Sequence, residues 1–226
     1  MHKIILASED SILIYFGDKV NASLPIIIQN FANQIKATLS DVVIDVIPSY
    51  TSIQVRYDLN KIEYSAFVER VSMLLNQAIE MTSCNAKLVQ IPVYYDTEVG
   101  LDLKRLLNEK NLDLPTFIAL HSNQQYQVYA VGFSPAFAYL GEVDTRIQVP
   151  RLPTPRIKIP AGSVGIADNQ TAVYPVDSSG GWNIVGRTPL DLSLKNPDNI
   201  RKFGVGDTVT FHSITRDEFL SSGGVL

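Results

Sequence analysis

The stretch from His121 to Val143, HSNQQYQVYAVGFSPAFAYLGEV, decides how the rest of the chain is read. It leads into VPRLPTPRIKIPAGSVGIADNQTAVYP from Val149 to Pro175, and then into SSGGWNIVGRTPL from Ser178 to Leu190. Glycine and proline crowd into these runs. They alternate with short β-branched and aromatic pieces such as Tyr126 to Val131 and Thr171 to Tyr174. That pattern predicts short strands joined by loops whose backbone is dictated residue by residue. A binding surface built from loops needs such positions, because glycine lets a ligand approach main-chain N–H groups closely.

Working outward, the spacing predicts strands over Gln125 to Val131, Arg146 to Val149, Ile157 to Ile159, Gly162 to Ile166, Ala172 to Tyr174, Trp182 to Val185, Leu190 to Ser193 and Thr208 to His212. A short helix is expected over Asp102 to Asn108. Another is opened by Pro115, which fits a first helical turn, and runs toward His121. So many short strands favour a closed β-barrel over an open sheet with long unpaired edges.

Upstream the composition changes. Residues 1–100 hold only Gly17 and Gly100 with three prolines, against eleven glycines and nine prolines in the remainder. Lys3 to Ala7 and Ser11 to Phe16 read as two strands around a Ser8-Glu9-Asp10 turn. Leu24, Ile27, Ile28, Phe31, Ile35 and Leu39 then fall on one helical face. Val42 to Ile47 and Ser52 to Tyr57 form a second strand pair. A second helix turns Phe67, Val71, Leu74, Leu75 and Ala78 inward, and Lys87 to Val93 returns as a strand. The predicted class is α+β. An N-terminal ββαββαβ domain has two helices on one face of an antiparallel sheet, and a β domain follows. The boundary falls near residues 84–92 and divides the chain as 1–86 and 87–226.

The chain has 226 residues, 46% of them hydrophobic, and a net charge of −4. It carries no long basic run, so neither nucleic acid nor an anionic membrane is expected as a partner. Cys84 is the only cysteine, which excludes an internal disulfide and suits a reducing cytosol. It reads as a small hydrophobe. The first eighteen residues lack the basic start and continuous apolar core of a signal peptide, and no run is long enough to span a bilayer. A cytoplasmic protein is expected.

Three side chains are candidates for chemistry. His121 titrates near neutrality when unperturbed and could move a proton, or it could simply hydrogen-bond a loop after its helix. Arg156 follows Pro155, and Arg187 stands between Gly186 and Thr188-Pro189. Each guanidinium offers a planar fork suited to a carboxylate or phosphate, or to an ordinary salt bridge with Asp168, Asp177 or Asp191. The two arginines are expected to face one shared cleft. The backbone of Pro160 to Gly165 and Ser179 to Gly181 could present N–H groups to an anion or could simply turn the chain. Phe133, Phe137, Tyr139 and Trp182 could wall a pocket, fill the core or anchor a partner. No Walker loop, zinc cluster or serine triad is apparent, and no metal ligand is assigned.

The quoted motifs resemble those of the allophanate hydrolase subunit 1 family, which includes KipI and the B component of bacterial 5-oxoprolinase. The family pattern runs roughly H, Y-x-V, GF-x-PGF-x-YL, PR…PR-x-x-(V/I)PAGSVGIA, Q-T…YP and GGW…(I/V)GRTP. Here it stands as His121, Tyr126 to Val128, Gly132 to Leu140, Pro150-Arg151, Pro155 to Ala167, Gln170-Thr171, Tyr174-Pro175, Gly180 to Trp182 and Gly186 to Pro189. Ala136, Asp168 and Ala172 stand where glycines are frequent in the family, Leu152 where arginine is common, and Ser179 where proline is common.

The resemblance implies a cyclophilin-like barrel for the second domain. It implies ATP-dependent opening of 5-oxo-L-proline to L-glutamate, with ATP and Mg2+ bound in an assembled complex and not tightly by this chain. The implied partners are the C component of 5-oxoprolinase, from the allophanate hydrolase subunit 2 family, and its A component. His121, Arg156 and Arg187 would be the catalytic groups. Gly132, Phe133, Pro135, Tyr139, Pro160, Ala161, Gly162, Ser163, Gln170, Gly180, Gly181 and Trp182 would form the substrate-binding surface. The family also admits two other readings, a KipI-like inhibitor of a sporulation histidine kinase and subunit 1 of a urea- or allophanate-metabolising enzyme.

Overall fold

The computed structural model describes residues 2–21, 23–77 and 86–226. Cys84 and Ala78 lie outside them. Backbone contacts divide the chain into two compact units, Met1–Ala86 and Lys87–Leu226.

In the first unit β1 (Lys3–Ser8) pairs with β2 (Ser11–Tyr15), β2 with β4 (Ser52–Tyr57), and β4 with β3 (Val43–Ser49), all antiparallel. Ile12, Ile14, Ile53 and Val55 are fully buried, as the period-two alternation of a sheet with one covered face requires. The helices α1 (Leu24–Thr38) and α2 (Tyr64–Gln77) cover that sheet's core with Ile28, Phe31, Ile35, Phe67 and Val71. Pro25 sits in the first turn of α1, where its missing N–H costs nothing. Ile27, expected inward, is 48% exposed, because the stripe through Leu24, Ile28, Phe31 and Ile35 leaves it at the margin.

The second unit begins with β5 (Leu88–Val93), so the first holds only the ββαββα part of the expected ββαββαβ run. The strand expected to complete the first domain pairs in parallel with β13 (Thr208–Ser213), and β13 pairs antiparallel with β6 (Gln125–Val131). From β6 the antiparallel order continues through β7 (Ala138–Gly141), β10 (Gln170–Val173), β9 (Ser163–Ala167) and β12 (Asn183–Arg187). An antiparallel bridge then joins Arg187 to Tyr94, the residue after β5. Each residue donates its N–H to the other's carbonyl, at 2.8 and 2.9 Å. A separate ribbon pairs β8 (Arg156–Ile159) with β11 (Ser178–Gly180).

The helices α3 (Leu103–Lys110) and α4 (Leu114–Ser122) contribute Leu103, Leu106 and Phe117 to a core with Ile91, Tyr126, Val128, Val164, Ile166 and Val185. A short helix α5 (Arg216–Ser221), closed by a Thr215–Glu218 capping box, packs Phe219 against Tyr94 and Val99. Two expected strands are absent. Thr145–Ile147 winds into a 3-10 turn because the Asp144 carboxylate accepts both the Arg146 N–H and its guanidinium. The segment 190–193 is held instead by a local bond from the Ser193 N–H to the Asp191 carboxylate.

Candidate functional site

His121 lies in the last turn of α4 and is fully buried. Its Nε2 lies 2.9 Å from the Thr171 hydroxyl, which donates its own hydrogen to the Gly165 carbonyl. The hydroxyl oxygen must therefore accept from Nε2–H. Nδ1 is then the bare nitrogen, and it accepts from the Tyr95 hydroxyl at 2.7 Å. The ring also packs 4.6 Å from Phe211. Burial pushes the imidazole down to about 3 and the Tyr95 phenol well above its ordinary value, so both stay neutral. The expected catalytic group is thus a buried neutral ring with both nitrogens engaged, and it ties α4 to β10.

Arg156 is likewise committed. Its two terminal nitrogens grip the Asp102 carboxylate at 2.9 and 2.8 Å, a bidentate pair. Asp102 is 4% exposed at the start of α3 and also accepts the Ile184 N–H at 2.8 Å. Arg105 approaches the same carboxylate at 3.6 Å and hydrogen-bonds Asn183. Asn183 in turn donates to the carbonyls of Pro150 and Ile166. The cluster joins α3, β8 and β12. It went unforeseen because Asp102 lies in no motif, and its only signal was a carboxylate just before a helix.

Arg187 behaves differently. Its Nε donates to the Ala161 carbonyl at 2.8 Å. Among the described residues no carboxylate comes within ion-pair distance of it. Arg105, Arg146 and Arg216, each beside a carboxylate, are held above their ordinary value, whereas burial pushes Arg187 below it, with Asp177 opposing that only at longer range. A partly desolvated cation without a close counterion is a place where a bound anion is favourable. Arg187 lines a cleft of about 460 Å³ with Gly162, Asp177, Asp191, Lys195 and residues 223–225. Arg156 is not among the residues that line this cleft.

Of the expected binding residues, Ala161 and Gly162 line this cleft. Gly162 has φ of +80°, and a Cβ there would meet the Thr188 carbonyl oxygen at 2.5 Å. Ser163 is buried beside it, and Pro160 is half-buried. The other candidates are elsewhere. Trp182, Phe137 and Tyr174 are buried in one aromatic cluster, with Phe137 5.9 Å from Trp182 and 5.3 Å from Tyr174. Tyr139 packs on its edge. Gly180 lies against the Tyr174 hydroxyl, leaving no room for a side chain, and the Gly181 carbonyl accepts the Leu152 N–H. These residues build the wall of the unit; none lines the cleft. Gln170 pairs with Gly141 and Ala167 in the sheet. The 132–137 loop is the exposed exception, closed by a bond of 3.0 Å from the Gly132 N–H to the Phe137 carbonyl. Pro135 is exposed, Phe133 is 62% exposed at φ +73°, and Ala136 follows at φ +63°.

Residues 2–199 match the family described as carboxyltransferase domain, subdomain C and D. The chain is 34% identical to the B component of 5-oxoprolinase from Bacillus subtilis, over 96% of this chain and 95% of that one. Among solved structures it is similar to the protein PH0987 from Pyrococcus horikoshii, at 36% identity and a TM-score of 0.55, covering 96% of this chain and all of that one. It is also similar to TTHA0988, at 28% identity and a TM-score of 0.78, over 91% of this chain but only 40% of that one. With a match spanning most of its length and a relative aligned nearly end to end, the chain belongs to the carboxyltransferase subdomain C and D family, that of KipI and the 5-oxoprolinase B component.

Proposed function

We propose that this chain is the B component of an ATP-dependent 5-oxoprolinase, acting in the cytoplasm with the C and A components to open 5-oxo-L-proline to L-glutamate. The near full-length relationship to the Bacillus subtilis protein supports the assignment. The observation that carries the site is Arg187, a half-buried arginine that lines the cleft with its Nε tethered to the Ala161 carbonyl. A planar fork of that kind matches the carboxylate of 5-oxoproline, and Pro175, Val176 and Pro189 offer apolar wall to its ring methylenes. The Tyr94–Arg187 bridge supports reading the second unit as a closed, cyclophilin-like barrel with Arg187 at its seam.

A lactam carbonyl is a poor electrophile until its oxygen carries a good leaving group, and ATP would supply that activation as co-substrate. The cleft does not suit a triphosphate, because Arg187 and Lys195 share it with Asp177 and Asp191. Nucleotide and Mg2+ are assigned in this reading to the partner components, and this chain's task is to hold and orient the lactam. The exposed Phe133 loop is the docking edge proposed for the C component, as aromatics commonly anchor interfaces.

The test is phosphate release dependent on 5-oxoproline by the purified chain alone, with the C component, and with the C and A components together. Activity should appear only in the assembled mixture. Full turnover by this chain alone would overturn the division of roles, and no turnover in the complete mixture would overturn the substrate.

A further inference from the structure

We propose that Val225 is a specificity-determining residue of the Arg187 cleft, selecting a small carboxylate with an aliphatic body over a bare one. Gly223, Gly224 and Val225 line the cleft together with Arg187. Val225 is 67% exposed, and Val176 on the same cleft is 38% exposed. Single exposed valines are ordinary on an open surface. In a concave site beside a cation they offer apolar area that a ligand with an apolar part covers favourably.

The path of the chain into Val225 is set by two adjacent glycines, each called for by a different constraint. Helix α5 ends in a turn in which the Gly223 N–H donates to the Leu220 carbonyl at 3.0 Å and the Gly224 N–H to the Phe219 carbonyl at 2.9 Å. Such a turn needs left-handed backbone at its first residue past the cap, and Gly223 has φ of +88°. A Cβ on Gly223 would meet nothing, so the backbone angle alone favours glycine there. Gly224 is the reverse case, because a Cβ on it would lie 2.6 Å from the Phe219 ring.

Phe219 is fully buried, with its ring 5.4 Å from that of Tyr94, and the Tyr94 backbone is bridged to Arg187. One buried ring thus touches both the residue bridged to Arg187 and the turn that carries Val225. Arg216 holds the start of α5 to the Glu98 carboxylate at 3.0 and 3.1 Å. The charged groups of the cleft are of both signs, Arg187 and Lys195 with Asp177 and Asp191, so net charge does little to rank small carboxylates. The apolar edge at Val225 does rank them, by what lies behind the carboxylate. The choice of 5-oxoproline as the ligand rests on the function proposed above; the role of Val225 rests only on the cleft taking a carboxylate.

The experiment uses the full chain, with cyclopentanecarboxylate and acetate as probes of equal charge. The Val225 methyl signals are identified in 13C NMR spectra by their loss in Val225→Ala. Cyclopentanecarboxylate should shift them saturably, and acetate should move them at least about fivefold less. Gly224→Ala displaces the turn without touching Arg187 and should weaken binding of cyclopentanecarboxylate about tenfold. Val225→Thr keeps the shape at an exposed position, so its folding is not at stake, and should weaken the same binding about fivefold. In the complex with the C and A components, Val225→Thr should raise KM for 5-oxoproline about fivefold with kcat held within about twofold. Val225 methyls that ignore cyclopentanecarboxylate, or that move as far with acetate, would overturn the proposal. So would parental affinity for cyclopentanecarboxylate in Val225→Thr. A complex inert toward 5-oxoproline refutes the functional reading alone, since the methyl titration still decides the role of Val225.

Discussion

The Tyr95 hydroxyl donates to Nδ1 of His121 across 2.7 Å, between two side chains that are 3% and 0% exposed. The pair fixes the tautomer of a histidine that sequence motifs alone would offer as an acid or base. It also makes that histidine a liability in acid, because the fold has no place for a second ring proton.

The first prediction concerns pH. His121 is held down to about 3 in the fold, against 6.5 ordinarily. Between those values the unfolded chain binds the extra proton. Stability is therefore full above pH 6.5 and falls as pH drops, by up to about 1.4 kcal/mol per unit. Urea denaturation at pH 7, 6 and 5 should show the slope, and His121→Gln should flatten it. A His121 ring signal titrating with a midpoint near 6.5 would refute the assignment.

The Asp102 clamp is the second. Arg156→Met leaves a buried carboxylate with the Ile184 N–H and the more distant Arg105. The expected cost is roughly 2–3 kcal/mol, below the full penalty for a broken buried pair because Arg156 is itself 29% exposed. The folded variant should keep its KM for 5-oxoproline in the assembled complex. A large rise in KM with unchanged stability would place Arg156 at the ligand instead.

Ala136 carries the third. Its φ of +63° lies in the left-handed region, which costs a residue with a Cβ about 1–2 kcal/mol. Glycine relieves that but loses more entropy on folding, roughly 0.5–1 kcal/mol. Ala136→Gly should therefore gain about 0.5–1 kcal/mol, read as a higher denaturation midpoint with an unchanged slope. Destabilisation by glycine would show that the alanine methyl, 2% exposed in its pocket, outweighs the strain.

Arg187 itself is the fourth. Arg187→Lys should leave Tm within a few degrees but raise KM for 5-oxoproline by about 10–100-fold, since an ammonium cannot reproduce the fork. Gly162→Ala should do worse, losing fold as well as activity, because its Cβ has nowhere to go against Thr188. Normal turnover by Arg187→Lys would remove Arg187 from the site.

Much of the fold was legible because its signals are local. Tyr126 and Val128 alternate with the more exposed Gln125 and Gln127, and the strand they announce runs over the expected residues. Ala136 and Asp168, which stand where the family commonly has glycine, both adopt left-handed backbone. The site was less legible because its decisive contacts are remote in sequence. Arg156 finds its carboxylate 54 residues away, where no motif marks it. His121 and Arg187 both stand in conspicuous motifs, yet one is sealed in the core and the other faces a cleft. Only packing separates them. The segment at 146–149 misled because an Asp144 cap overrode its apolar alternation.

The parallel pairing of β5 with β13 sets a timetable for synthesis. Leu88 waits for Thr208, more than a hundred residues downstream. At ribosomal elongation rates that gap lasts on the order of ten seconds. For that interval Val89, Ile91 and Val93 have left the ribosome without the strand that will lie beside them. The nascent second unit is thus an apolar edge in search of cover, and a chaperone that binds extended apolar segments would find its footing there.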